Sequence, residues 1–160
     1  MEKRERKTTI RRAEDNDCSA VTVIAQAAYS IYLNRMPDKP FPMLDDYSEH
    51  IRRKRVYVLE DAGSIHGYVV LMANDVDALL LDNIAVHPDK QGAGYGNSLA
   101  RFAEEQAKRR GYKRIYLYTN EVMTENIIWY ERLGYSVTHR AVENGYRRIY
   151  MAKDLSPLSS

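Results

Sequence analysis

The run Ala78-Leu79-Leu80-Leu81-Asp82-Asn83-Ile84-Ala85-Val86 constrains this chain more than any other stretch. It is apolar nearly throughout, as a central strand is when both of its faces are buried and the usual alternation disappears. Pro88 ends it, and the turn Gln91-Gly92-Ala93-Gly94-Tyr95-Gly96 opens a helix predicted over 94–110. There Tyr95, Leu99, Phe102, Ala103 and Ala107 recur on one face, with Glu104–Lys108 and Glu105–Arg109 as outward pairs one turn apart. Gly111 is a natural stop, and the β-rich run 114–119 follows. Strand, helix and strand of crossover length imply that the two strands pair in parallel.

The remaining elements are predicted around this unit. A short strand at 8–11 precedes a helix capped by Asp15 or Asp17, in which Ala20, Val21, Ile24, Ala25, Ala28, Ile31 and Tyr32 share a sheet-facing side. Pro37, Pro40 and Pro42 break the pattern, and a shorter helix is predicted over 45–54. Residues 56–60 and 66–72, joined by Asp61-Ala62-Gly63-Ser64, form an antiparallel hairpin. A helix near 124–133 and strands at 135–140 and 147–153 complete an α/β order: a mixed, mostly antiparallel central sheet flanked by helices.

With 160 residues the chain has the size of one domain, expected over 1–160 with tails at 1–7 and 156–160. Twenty-four basic and 22 acidic residues give a net charge of +2, so nothing in the global charge points to nucleic acid or membrane as partner. Arg52-Arg53-Lys54-Arg55 and Lys108-Arg109-Arg110 read as solvated helix ends or phosphate contacts. Cys18 has no cysteine to pair with, and His50, His66, His87 and His139 lack metal-ligand spacing. The charged N-terminus is followed by no apolar core, so no signal peptide is expected and the location expected is cytoplasmic, without metal.

Chemistry concentrates at the glycine-rich turn. Glycines let a ligand approach the backbone, and the first N–H groups and dipole of the following helix make an anion site suited to pyrophosphate. A P-loop needs Gly-Lys-Ser/Thr, absent here. The dinucleotide fingerprint started from Gly92 needs a glycine where the chain has Asn97, and a hairpin meander precedes the turn instead of a βαβ unit.

Gln91, Gly94 and Gly96 meet the signature Q/R-x-x-G-x-G/A, and on them the sequence resembles the GNAT superfamily of acyl-CoA N-acyltransferases. The resemblance extends over roughly 8–155. Asn83-Ile84-Ala85-Val86-His87-Pro88 is similar to the family's central strand, and Trp129-Tyr130-Glu131-Arg132-Leu133-Gly134-Tyr135 to its later helix and glycine turn. A bacterial subgroup with Pro-Met-x-x-Asp-Tyr, here Pro42 to Tyr47, and Leu-Tyr-Thr-Asn-x-x-Met-x-Glu-Asn, here Leu117 to Asn126, is more similar still.

The resemblance implies acetyl-CoA as co-substrate, no metal, and an acyl-CoA N-acyltransferase fold whose parallel strand pair splays. Pantothenate amides would pair with the open edge at Ile84, Ala85 and Val86, and pyrophosphate would rest on Gln91, Gly92, Ala93, Gly94, Tyr95, Gly96 and Asn97. Tyr130 falls where the family places a phenol near the cofactor sulfur; packing beside Trp129 and Leu133 is the competing role. Many relatives carry an asparagine where this chain has Met123. Asn126, one turn before Tyr130, faces the cofactor or caps its helix.

Asp82 is the first candidate for the general base, because a charge in an apolar strand needs a reason, though a structural pairing also supplies one. Glu121 is second, and His87 reads as a surface residue. The implied activity is transfer of acetyl from acetyl-CoA to a primary amine in a ternary complex. The alternative is a silent acyl-CoA-binding regulatory module. The acceptor, a small-molecule or protein amine, is expected along the irregular segment 29–47, with Tyr29, Tyr32, Arg35 and Tyr47 as candidate contacts. The family also makes a homodimer an expectation.

Overall fold

Both faces of a single sheet are covered in the computed structural model, which describes residues 8–155; the expected tails 1–7 and 156–160 lie outside the described residues. The strands are β1 (Thr8–Arg12), β2 (Val56–Asp61), β3 (Ser64–Met72), β4 (Ala78–Val86), β5 (Arg114–Asn120), β6 (Ser136–Glu143) and β7 (Tyr146–Asp154), in the order β1-β2-β3-β4-β5-β7-β6. All neighbours are antiparallel except β4 and β5. The helices are α1 (Cys18–Tyr29), α2 (Tyr47–Arg52), α3 (Tyr95–Arg109) and α4 (Thr124–Arg132).

The period of two in β2 sorts side chains between two cores. Tyr57 and Leu59 join Leu79, Leu99, Ala103 and Ile115 on the α3 side, while Val56 and Val58 join Val21, Ile24, Ala25 and Tyr68 on the α1 side. Each fully buried Val or Leu contributes roughly 1.5–3 kcal/mol. That is why the central strands read as continuous apolar runs.

Two local features differ from expectation. Helix α1 ends at Tyr29, three residues before Tyr32, and a 3₁₀ segment Ser30–Arg35 continues the chain so that Tyr32 is still buried. Asp17 does not cap α1 with its side chain. Its carboxylate accepts from Arg11 Nη1 at 2.7 Å, Arg11 Nη2 at 3.1 Å and the Glu14 amide at 2.7 Å, tying the turn to β1. On α3, half-buried Glu104 takes Lys153 Nζ at 2.5 Å instead of Lys108, and among the described residues no ion pair joins Glu105 to Arg109.

The basic runs also have structural partners. Arg52 and Arg53 both clasp Glu49, and Arg110 donates to the Tyr57 hydroxyl at 2.8 Å. No helix among the described residues is long and apolar enough to cross a membrane.

The parallel pairing positions the site. It lasts only from Ala78–Arg114 to Leu80–Tyr116, after which β5 follows β7 and leaves one edge of β4 without a strand partner. Just beyond, Leu71 pairs with Leu81 while its neighbour Val70 pairs with Asn83, so Asp82 is the extra residue of a β-bulge. A bulge turns the strand and re-aims its side chains. The apolar parity of β4 accordingly changes from Leu79 and Leu81 to Ile84 and Val86, with Asp82 at the switch.

Candidate active site

Where β4 and β5 part, the chain leaves two adjoining hollows. The larger, ≈ 600 Å³, is walled by Ile84, Ala85 and Val86 of β4, by Gln91, Gly92, Gly94, Tyr95, Gly96 and Asn97 at the start of α3, and by Tyr32, Glu125 and Trp129. The smaller, ≈ 60 Å³, is walled by Asp82, Asn83, Tyr118, Met123, Tyr130 and Arg148, with Met36, Phe41, Pro42 and Asp45 from the irregular segment. Tyr29 and Asn126 line both.

The floor of the larger hollow follows from backbone geometry. Gly94 stands at the N-cap of α3 with φ 85°, a left-handed conformation that costs a side-chain-bearing residue about 1–2 kcal/mol. The first intrahelical bond runs from Ser98 N to Gly94 O, so the amides of Gly96 and Asn97 belong to the turn that an α-helix leaves for outside partners. Gly96 has a second reason to be glycine: a Cβ there would lie 3.3 Å from Trp129 Cζ2, and Trp129 Nε1 donates to Asn97 Oδ1 at 3.1 Å. Trp129 thus docks α4 on the first turn of α3. The carbonyls of Ile84 and Val86 are reached from the open edge of β4, by the Tyr29 hydroxyl at 3.2 Å and by Gln91 Nε2 at 3.3 Å.

Around the smaller hollow the chemistry is acidic and aromatic. Burial, reinforced by the charge of Asp45, pushes the Asp82 carboxyl up to about 6, against the pull of His50 and of a hydrogen bond from Tyr118. His50 Nε2 and Asp45 Oδ2 are 2.8 Å apart, and that bond raises the His50 pKa. One ligand atom from each of Asp45, His50 and Asp82 lies within 4.8 Å of the others. Sequence spacing hid this cluster, because a loop, a helix and a strand contribute one residue each. The Tyr130 ring is wedged against Trp129 at 5.2 Å and Tyr135 at 5.9 Å, and burial raises its phenol well above 10.

Residues 52–137, just over half of the chain, match the family described as "Acetyltransferase (GNAT) domain". The chain belongs to the GNAT acetyltransferase family. A curated relative, the "Uncharacterized N-acetyltransferase YjgM" of Escherichia coli (strain K12), is 33% identical over 99 residues, which span 59% of this chain and 59% of that protein. Among solved structures, the PaiA N-acetyltransferase of Thermoplasma acidophilum in complex with coenzyme A superposes with a TM-score of 0.77 at 15% identity, covering 92% of this chain and 99% of that one. The yncA protein of Salmonella typhimurium, solved with its cofactor acetyl-CoA, gives 0.71 at 21% identity, covering 96% and 97%. These two likenesses establish the fold, a mixed seven-stranded GNAT sheet with one parallel pair.

Set on this GNAT frame, the residues singled out from sequence fall unevenly. Those expected for the cofactor gather along the larger hollow, except Ala93, which is exposed in the turn and lines neither hollow. Tyr130 and Asp82 come together in the smaller one. Of the acceptor candidates, Tyr29 lines both hollows, whereas Tyr32 lines only the larger.

Two acceptor candidates line neither hollow. Tyr47 is buried, its hydroxyl 2.5 Å from Pro42 O and from Asn83 Nδ2 and 3.2 Å from the Tyr68 hydroxyl, so it braces β4 from behind. Arg35 bonds Glu125 at 2.8 Å and covers the Tyr32 ring, straps the segment to α4 and lines neither hollow. Glu121 also lies outside, 3.6 Å from Arg147. His87 accepts from the Asp89 amide and caps the turn after β4. Sequence reasoning missed Asp45 and Arg148, which carry no local motif, and Lys90, a cation beside the glycine turn.

Proposed function

We propose that the protein transfers acetyl from acetyl-CoA to a primary amine by direct attack in a ternary complex. The observation that carries this reading is the junction of the two hollows at Tyr29 and Asn126, with a carboxylate and a phenol on the walls of the smaller one. The larger hollow has the volume of a cofactor site. Its three kinds of wall suit coenzyme A: an open strand edge for amide groups, a helix N-terminus for phosphate, and a glycine turn in which a Cβ on Gly92 or Gly94 would meet nothing within 4 Å. Lys90 adds a cation beside that turn. Ala85, Gln91 and Asn97 complete the wall, and Gln91 also ties the turn to the end of β4.

Acetyl-CoA supplies a thioester whose carbonyl is open to an amine. An aliphatic ammonium, with a pKa near 10.4, must first lose a proton. Asp82, ionised above about 6 and partly shielded from water, is the acceptor of that proton, directly or through one water. Its place at the bulge aims it into the small hollow and away from the core. Tyr130 stays a neutral donor at any working pH because burial holds its phenol up, and it faces the charge that develops on the leaving sulfur. Asn126, at the junction, orients groups of both ligands.

Release of free CoA thiol across a panel of primary amines tests the reading, and a protein that binds acetyl-CoA without releasing thiol to any amine overturns it. A second measurement tests the cradle. Gly94→Glu and Gly94→Ala share the same backbone strain, about 1–2 kcal/mol, and only the first places a carboxylate beside the helix N-terminus. Calorimetry should therefore show acetyl-CoA affinity reduced at least tenfold more in Gly94→Glu than in Gly94→Ala. Equal affinities would remove the phosphate from this turn.

A further inference from the structure

The smaller hollow carries a cation that acetyl transfer does not use. Arg148 lines it with a side chain only 14% exposed, its guanidinium carbon 4.4 Å from the Tyr118 ring centre and 5.9 Å from that of Tyr146. Its carboxylate partner, Glu143, is 3.9 Å away and also accepts the Tyr150 hydroxyl; Tyr150 in turn touches Arg148. The Tyr118 ring packs against the guanidinium, and the long ion pair leaves its N–H fork without a bidentate acid. Asp82 and Asp45 line the same hollow.

We infer that the acceptor is a small α-amino acid bound as its zwitterion, its ammonium toward Asp82 and its carboxylate on the fork of Arg148. The inference rests on the acetyl-transfer reading and names its acceptor. Tyr118 joins the two charges: its hydroxyl bonds Asp82 while its ring carries Arg148. An acid and a cation on the walls of one hollow this small suit a molecule whose ammonium and carboxylate share one carbon. A hollow of ≈ 60 Å³ walled by Met36 and Phe41 leaves room for a small side chain only.

Other amines fit less well for stated reasons. A monoamine fills the hollow and leaves Arg148 desolvated, with only the long pair to Glu143. A polyamine brings a second ammonium against it. An amidated or peptide-bonded amino terminus offers a neutral carbonyl where the fork takes a charge. Sites built for a charged group reject analogues lacking it by large factors, because their own polar groups are then left unpaired.

The experiment compares L-alanine and L-serine with their decarboxylated counterparts ethylamine and ethanolamine, and with L-alaninamide. Thiol release gives kcat/KM, and saturation-transfer NMR on the CoA-loaded protein gives binding without turnover. The expected preference for the amino acid over its amine is about 10²-fold, falling to within about threefold in Arg148→Met and partly restored in Arg148→Lys.

Equal use of amine and amino acid by the unmodified protein overturns the inference while leaving acetyl transfer standing. A preference that survives in an Arg148→Met protein with normal melting and acetyl-CoA affinity does the same. If thiol is released to no acceptor, yet NMR shows the Arg148-dependent preference, acetyl transfer fails and the amino-acid site stands; absence of both removes both.

Discussion

Asp82→Asn is expected to lower kcat/KM for the amine by about 10² to 10⁴, the span of a lost general base, and to raise the melting temperature at pH 7–8. The two effects have one cause. A carboxyl raised from 3.8 to about 6 in the folded state binds protons more tightly there than in the unfolded chain. Stability then falls as pH rises from about 4 through about 6, and above that window the ionised group destabilises the fold by roughly 3 kcal/mol.

Asparagine is neutral and keeps an acceptor for the Tyr118 hydroxyl, so it recovers most of that loss, about 5 °C or more in melting temperature for a chain of this size. Below pH 4 the difference should vanish. Because Asp17 and Glu49 are held low by arginine and stabilise in the opposite pH direction, the difference between variant and unmodified protein isolates Asp82. In the unmodified protein the rate expected from the proposed function should rise through about pH 6 as Asp82 ionises. A variant that melts lower than the unmodified protein at pH 8 would show that the Asp82 carboxylate is a net structural partner, and the base would have to be sought elsewhere.

The fold was legible where chain chemistry is local. The apolar run 78–86, the glycine turn and the amphipathic helix after it were read from sequence to within a residue or two, since burial on both faces and a left-handed N-cap leave few options. The hairpin 56–72 followed from its turn residues. What misled was side-chain competition. Asp17 could satisfy a helix end or Arg11, and three strong hydrogen bonds to Arg11 and Glu14 decided for the latter. Glu104 could reach Lys108 along the helix or Lys153 across it. The bulge at Asp82 has no signature in an apolar strand, yet it is what makes a lone acid in that strand tolerable.

The larger hollow was legible in the sequence and the smaller one was not, for a physical reason. The larger is floored by backbone at a helix start, and backbone geometry writes glycines into neighbouring positions. The smaller is walled by single side chains drawn from distant segments. Asp45, Asp82, Tyr118 and Arg148 come from a loop and three strands, and no spacing joins them. Tyr47 shows the converse. In a chain with 13 tyrosines and two phenylalanines, an aromatic near the acceptor segment is often a core residue whose hydroxyl finds a buried partner, here Asn83.

Tyr130→Phe should lower kcat by about 10² to 10³ with acetyl-CoA affinity unchanged within about threefold. The phenol lies well above 10, whereas a thiol titrates near 8.5, so full proton transfer from Tyr130 to the departing sulfur runs uphill. A hydrogen bond donated to the developing negative charge meets no such penalty. It is strongest where water is excluded, and Tyr130 is 5% exposed. The substitution tests this cleanly because Trp129 and Tyr135 hold the ring on either side and would hold a phenylalanine as well. Melting should move by no more than about 2 °C. A hydrogen-bond donor of this kind imposes no acidic group on the pH profile, so the unmodified protein and the variant should share one profile shape from pH 6 to 10, displaced only in height. A profile whose alkaline limb is lost with the hydroxyl would instead make Tyr130 a proton donor in the full sense, and a variant that turns over at the unmodified rate would reduce it to a wedge between Trp129 and Tyr135.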